Sequence, residues 1–199
     1  MGRWQPGAHF RLQRAALELY EERGFDDVTV AEIAERAGLT KRTFFRYFTD
    51  KREVLFAGAA ELQNAMVAAV TDAPDDLSPI AAVVAAVQVG GAAVIQYGEG
   101  ARRRQAVIEA STELQERELI KLAELTGALA DALRRRGVAD LAAALTAQAG
   151  IAVFTSAFGC WVAGNGVRDY PELVEESLDV LRTELSRPGV TPPLARPRG

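Results

Sequence analysis

Within GLTKRTFFRYF, residues 38–48, Lys41, Arg42 and Arg46 supply cations, Thr40 and Thr43 hydroxyls, and Phe44, Phe45, Tyr47 and Phe48 rings. An arginine fork can donate two parallel hydrogen bonds to O6 and N7 of guanine, and a threonine methyl suits the methyl of thymine. Lysine and the free amides of a first helical turn suit phosphate oxygens. These residue types together point to recognition of nucleic acid. Nothing comparable points to covalent chemistry. His9 is the only histidine and Cys160 the only cysteine, and they lie far apart in the sequence. No metal-ligand spacing can be assembled from them. With no glycine-rich phosphate loop and no nucleophile elbow, neither an enzyme nor a cofactor is expected.

The elements that must position these groups can be read from helical periodicity. At 3.6 residues per turn, Phe44 and Phe48 share one face of a helix beginning after Thr40. Arg42 and Arg46 share the opposite face, with Thr43 and Tyr47 beside them. Burying the two phenylalanines therefore turns the arginine pair outward, with Phe45 at the boundary and Lys41 in the exposed first turn. Upstream, Leu12, Ala16, Leu19 and Tyr20 give an apolar stripe for a helix over 9–23, which Gly24 can end. TVAE, 29–32, has the form of a capping box for a brief second helix. DKRE, 50–53, repeats that form and predicts a fourth helix over 51–70. A short helix held against two others after a glycine-containing turn is the helix-turn-helix arrangement. In it Lys41, Arg42 and Thr43 lead into the major groove. Tyr47, Lys51 and Thr29 are placed for the phosphate backbone.

The chain has 199 residues and a formal net charge of -4, so it is not a protein that coats nucleic acid with its whole surface. The charge is nevertheless uneven. Residues 36–52 hold Arg36, Lys41, Arg42, Arg46, Lys51 and Arg52 against Asp50 alone. Alanine, leucine and glutamate predominate, which predicts an all-α fold. Beyond a linker at TDAPDDLSP, 71–79, helices are expected over 80–97, 102–114, 115–136, 139–164 and 170–186. The stretch 80–96 is apolar but short, and is interrupted by Gln88, Gln96 and a Gly-Gly pair; a helix buried in protein is expected, not a membrane span. ARRRQ, 101–105, suits a solvated helix start, a salt-bridged hinge or a contact with an anionic ligand. Phe154, Phe158 and Trp161 on the 139–164 helix, with Leu178 and Leu181 on the last, offer area for a dimer interface, with core as the plainer use. Cys160, beside Trp161, reads as a small buried hydrophobe, with redox sensing as the alternative. The start, MGRWQPGAHF, lacks the apolar run of a secretory signal. One cysteine suits a reducing cytoplasm.

On these residues, 10–56 resembles the DNA-binding domain of the TetR family of bacterial regulators. Ala15 and Ala16, Gly24, Thr29, Ile33 and Ala34, Ala37 and Gly38, Thr43, Phe48 and Lys51 match its pattern. Phe45 stands where the family commonly has tyrosine, and Tyr47 where it has histidine. The resemblance implies a three-helix DNA-binding domain over 1–56, containing the helix-turn-helix. It is joined to a larger helical domain over 57–186 that binds a small effector and dimerises through its last two long helices. The proline-rich stretch 187–199 is expected, from its composition, to be a disordered or loosely held tail. The expected function is a cytoplasmic homodimeric transcriptional regulator, by family habit a repressor, that reads a palindromic operator in double-stranded DNA through Thr29, Thr40, Lys41, Arg42, Thr43, Phe45, Arg46, Tyr47 and Lys51. The effector and its contacts stay unidentified. The alternatives are a nonspecific architectural DNA binder, and a small-molecule-binding helical protein or enzyme with a vestigial DNA head.

Overall fold

The computed structural model describes residues 7–187, so the expected tail, apart from Arg187, lies outside the described residues. Among the described residues the chain is built of α-helices with no strand. The head comprises α1 (Ala8–Arg23), α2 (Val30–Arg36) and α3 (Lys41–Tyr47). Thr29 and Glu32 form the full capping box at the start of α2. The α2–α3 turn depends on Gly38. At φ +64° it occupies the left-handed region, so that Gly38 N–H reaches Glu35 O and Leu39 N–H reaches Ala34 O, both at 2.8 Å. This six-residue closure satisfies the last carbonyls of α2. A side chain at Gly38 would also collide with the Arg11 guanidinium, whose Nη2 would lie 2.8 Å from the added Cβ. Arg11 donates from α1 to the carbonyls of Ala37 and Gly38.

The expected fourth helix is broken. Asp50 accepts from the amides of Arg52 and Glu53 at 2.8 and 3.2 Å, but the backbone then tightens into a 3-10 turn over Glu53–Phe56. The α-helix α4 begins only after Gly58 and runs Ala59–Thr71. Val54, Leu55 and Phe56 are all buried in the head, which draws the chain into a tighter turn than a straight helix allows.

The body contains α4, α5 (Pro79–Ile95), α6 (Glu99–Glu109), α7 (Thr112–Arg135), α8 (Asp140–Ala163) and α9 (Tyr170–Ser186). Its core joins Met66 and Val70 of α4, Val83 and Val87 of α5, Leu129 and Leu133 of α7, and Ile151 and Phe154 of α8 to Leu173 and Val174 of α9. At Gly91 the α5 backbone lies directly under Tyr170, where an added Cβ would fall 1.8 Å from the ring. The 102–114 helix expected from sequence starts earlier, at Glu99, and ends at Glu109. Its end and the start of α7 depart from the expected partition at 56. Val107, Ile108 and Leu114 are buried in the head's core, together with Leu12, Ile33, Phe44 and Val54.

By length and composition, Glu53–Thr71 and Asp140–Ala163 are apolar enough to cross a bilayer. In α8 this apolarity serves two faces. One packs into the body, and the other carries exposed Leu141, Leu145, Ala152, Gly159 and Ala163. Cys160 is exposed on that second face, contrary to the buried position expected for it, because Trp161 beside it takes the inward place.

Candidate nucleic-acid interface

A seven-residue helix is too short to persist alone, so α3 owes its orientation to its anchors. Phe44 is 0 % exposed and Phe48 4 %, and their ring centroids lie 5.5 Å apart. His9 of α1 stacks on Phe48 at 4.9 Å. Thr40 caps the helix, its hydroxyl accepting from Thr43 N–H at 3.1 Å. The two threonine hydroxyls also share a hydrogen bond of 2.9 Å. With that face fixed, Lys41, Arg42, Phe45 and Arg46 are exposed. Phe45 is 52 % exposed, an apolar surface suited to a thymine methyl or a sugar. Arg46 lies over the Tyr47 ring at 4.9 Å and donates to its hydroxyl at 3.1 Å. The two side chains thus present one cationic edge.

Of the six basic residues clustered at 36–52, three are consumed within the protein. Arg36 forms a two-pronged pair with Glu22 of α1, at 2.9 and 2.8 Å. Arg52 pairs with Asp50 at 2.8 Å and with Glu113 at 3.3 Å. Lys51, expected to meet the phosphate backbone, turns inward. Its ammonium donates to the carbonyls of Phe25 at 2.8 Å, Asp26 at 3.2 Å and Val28 at 3.1 Å, and sits 4.2 Å from the Phe25 ring centroid. An ammonium has three hydrogens, and all are engaged. Lys51 therefore clamps the α1–α2 loop. Tyr20 holds the clamp from behind by donating to Lys51 O at 2.7 Å, and burial keeps its phenol protonated by raising its pKa. Lys41, Arg42 and Arg46 remain. Among the described residues no carboxylate lies within ion-pair distance of them, and all three are on α3.

Thr29 also differs from expectation. Its hydroxyl and its amide both donate to the Glu32 carboxylate, at 2.7 and 2.8 Å. These bonds, with the Arg23 guanidinium, hold the Glu32 pKa down to about 2. A carboxylate, not an open donor, occupies the start of α2. Sequence reasoning missed Arg11 and Tyr20, which fix the two loops around α2. Tyr20 reads from sequence as a member of the α1 apolar stripe and Arg11 belongs to no motif there, and the polar ends of both act over sequence distances that periodicity does not register.

The expected dimer residues divide. Phe154, Trp161 and Leu178 are buried in their own protomer's core, while Phe158 and Leu181 lie half-buried at its edge. The outward apolar groups of α8 and α9 are instead Leu141, Leu145, Val180 and Leu185. Helical spacing alone does not say which of two apolar faces meets the body.

Comparison with known proteins places these features. Residues 12–57 match the family described as bacterial regulatory proteins, tetR family, and residues 77–186 match the MftR C-terminal domain. The HTH-type transcriptional regulator TcmR of Streptomyces glaucescens is 33% identical over 126 residues, 63% of this chain and 52% of that regulator. The chain thus matches about half the length of that relative. Among solved structures, the SmeT–triclosan complex superposes with a TM-score of 0.63 at 19% identity, covering 96% of this chain and 100% of that one. A TetR-family regulator from Streptomyces coelicolor gives a TM-score of 0.57 at 18% identity, covering 92% and 98%. With the second match alone spanning more than half of the sequence, and the helix-turn-helix matching in front of it, this chain belongs to the TetR family of bacterial regulatory proteins.

Proposed function

We propose that the chain is a homodimeric transcriptional repressor that reads a palindromic operator in the cytoplasm and is released when a small molecule binds its body. The observation that carries the reading is the outward face of α3, where Lys41, Arg42 and Arg46 stand without a carboxylate partner among the described residues. In a protein of net charge -4, cations left unpaired at one site are a binding surface for an anion. Their place at the start and along the outer face of a recognition helix suits the major groove of duplex DNA. Dimerisation is supported by the exposed apolar faces of α8 and α9, adjacent helices that a second copy would cover. Two heads related by a two-fold axis would meet half-sites about 34–36 Å apart.

The test is selection of bound duplexes from random DNA with the full chain, followed by competition at fixed salt. The expected result is one palindromic sequence favoured over scrambled duplex by about 10³-fold or more. Equal binding to selected and scrambled DNA would show an architectural binder instead, and no retention of any duplex would show a vestigial head.

A further inference from the structure

Among the described residues, three buried side-chain atoms have no hydrogen-bond partner: Tyr170 Oη, Arg102 Nε and Gln105 Oε1. The first belongs to a neutral phenol in the body's core. The other two are a donor and an acceptor one turn apart on α6, at a spacing that makes their side chains neighbours on the helix surface. A buried donor and a buried acceptor left unmatched both destabilise a fold. Together they describe an occupant that accepts from one and donates to the other.

Arg102 is also a cation without an anion. Its neighbours in the run are engaged: Arg103 makes a two-pronged pair with Glu21 of α1, one bond at 2.6 Å, and Arg104 donates to Leu55 O at 2.6 Å and reaches Glu118 at 3.8 Å. Arg102 turns instead toward the α8–α9 loop, where its Nη1 donates to Asn165 Oδ1 at a long 3.4 Å. Among the described residues no carboxylate lies within ion-pair distance of this half-buried guanidinium.

The groups around it are oriented by their own partners. Arg168 of the same loop is paired with Glu176 at 2.7 Å. Asn165, at φ +55°, accepts from Arg102 through its oxygen because a guanidinium only donates, which leaves the amide nitrogen as a second donor beside the fork. Gln105 Nε2 donates to Glu109 Oε1 at 3.2 Å. A carboxylate only accepts, so the Gln105 oxygen is the atom left for an occupant.

We propose that α6 and the α8–α9 loop form a site for a small oxyanion that also carries a hydroxyl. The oxyanion sits on Arg102 and the Asn165 amide, and the hydroxyl donates to Gln105. An arginine fork matches the oxygens of carboxylate and phosphate. A hydrogen phosphate ion and an α-hydroxy carboxylate both place a hydroxyl next to those oxygens. The site is remote in sequence from the reading helix α3, and its occupancy requires neither DNA nor a second copy of the chain.

The experiment titrates the full chain, labelled with nitrogen-15, near neutral pH and at constant ionic strength held with chloride. The Arg102 Nε–H and the Asn165 backbone amide are followed by NMR. The probes form two pairs, phosphate against sulfate and glycolate against acetate, in which the second member lacks the hydroxyl. A saturable shift is expected, with the hydroxyl-bearing member of one pair binding about tenfold more tightly than its counterpart. The pair that shows the preference tells a phosphate ligand from a hydroxy acid. Gln105→Leu is expected to erase the preference by weakening only the hydroxyl-bearing probe. Asn165→Gly, whose backbone accepts the positive φ, is expected to weaken both members alike. Arg102→Lys keeps the charge and loses the fork, and is expected to weaken binding about tenfold, read at Asn165.

Thermal melts establish that each variant folds, and Gln105→Met replaces Gln105→Leu should the latter not fold. Shifts that grow linearly with every probe mean that an ordered water alone fills the place, and they overturn the site. Equal affinity within both pairs, or a preference that survives the loss of Gln105, overturns the proposal as well.

Discussion

At the scale of single residues, the cations of the head separate into readers and fasteners. Arg42 is exposed, unpaired among the described residues, and one residue into the helix that would enter the groove. Its replacement by alanine should cost about 1–3 kcal/mol at the best operator and blunt sequence preference, measured by competition against scrambled duplex. Lys41 and Lys51 give a sharper contrast. Lys41→Ala should lower the slope of log affinity against log salt by about one, since it would remove one phosphate contact. Lys51→Ala should leave that slope unchanged, because its ammonium is already spent on Phe25, Asp26 and Val28. It should instead destabilise the head by about 1–3 kcal/mol, seen in urea unfolding, since three carbonyls lose their donor. A Lys51 variant with unaltered stability and a reduced salt slope would reverse this assignment. The wheel drawn from sequence correctly sorts Phe44 inward and Arg42 outward, because both lie on one regular helix. It says nothing of Lys51, which precedes an irregular turn and finds its partners 23 to 26 residues away.

At the scale of elements, what was legible tracks how local the cause is. The capping box of α2 and the threonine cap of α3 are written in four consecutive residues each, and both form. The 51–70 segment reads as one helix because its apolar residues keep helical spacing. Its break at 57–58 comes from burial of Val54, Leu55 and Phe56 against α1 and the α6–α7 corner, a tertiary cause. For the same reason the head's core could not be read from residues 1–56, since Ile108 and Leu114 complete it from another part of the chain. The α2 box carries its own pH dependence. The Glu32 carboxyl titrates at about 2 in the folded head against an ordinary 4.5, held down first by the Thr29 hydroxyl, then by the Thr29 amide and Arg23. A depressed carboxyl pKa contributes stability above its unfolded value and loses it as pH falls through the folded one. The stability gap between the unmodified chain and Glu32→Gln, measured in urea, should therefore be constant above about pH 5 and close as pH falls from 4.5 toward 2. A gap independent of pH would mean that the box acts by shape alone.

At the scale of the whole molecule, α8 sets the outstanding demand. It is a 24-residue helix, about 36 Å long, whose inner face fills the body and whose outer face leaves Leu141 at 73 % and Leu145 at 56 % exposure. Beside it, α9 leaves Leu185 at 78 %. Isolated exposed leucines are ordinary, but a continuous stripe with small residues at Ala152, Gly159 and Ala163 permits the backbones of two copies to approach closely. If the pair of helices is the seam of a dimer, Leu145→Glu places a carboxylate in that seam and nowhere in the protomer's own core. The variant should sediment as a folded monomer at concentrations where the unmodified chain is dimeric. The unmodified chain's melting temperature should rise with protein concentration, because association stabilises the folded state by mass action, whereas the variant's should not. Operator affinity should fall by about 10²-fold or more, since the second half-site is no longer engaged by a tethered head, while contacts of each α3 with its own half-site remain intact. A monomeric variant that still bound the full palindrome as tightly as the unmodified chain would separate dimerisation from operator recognition, and leave the exposed face of α8 to another partner.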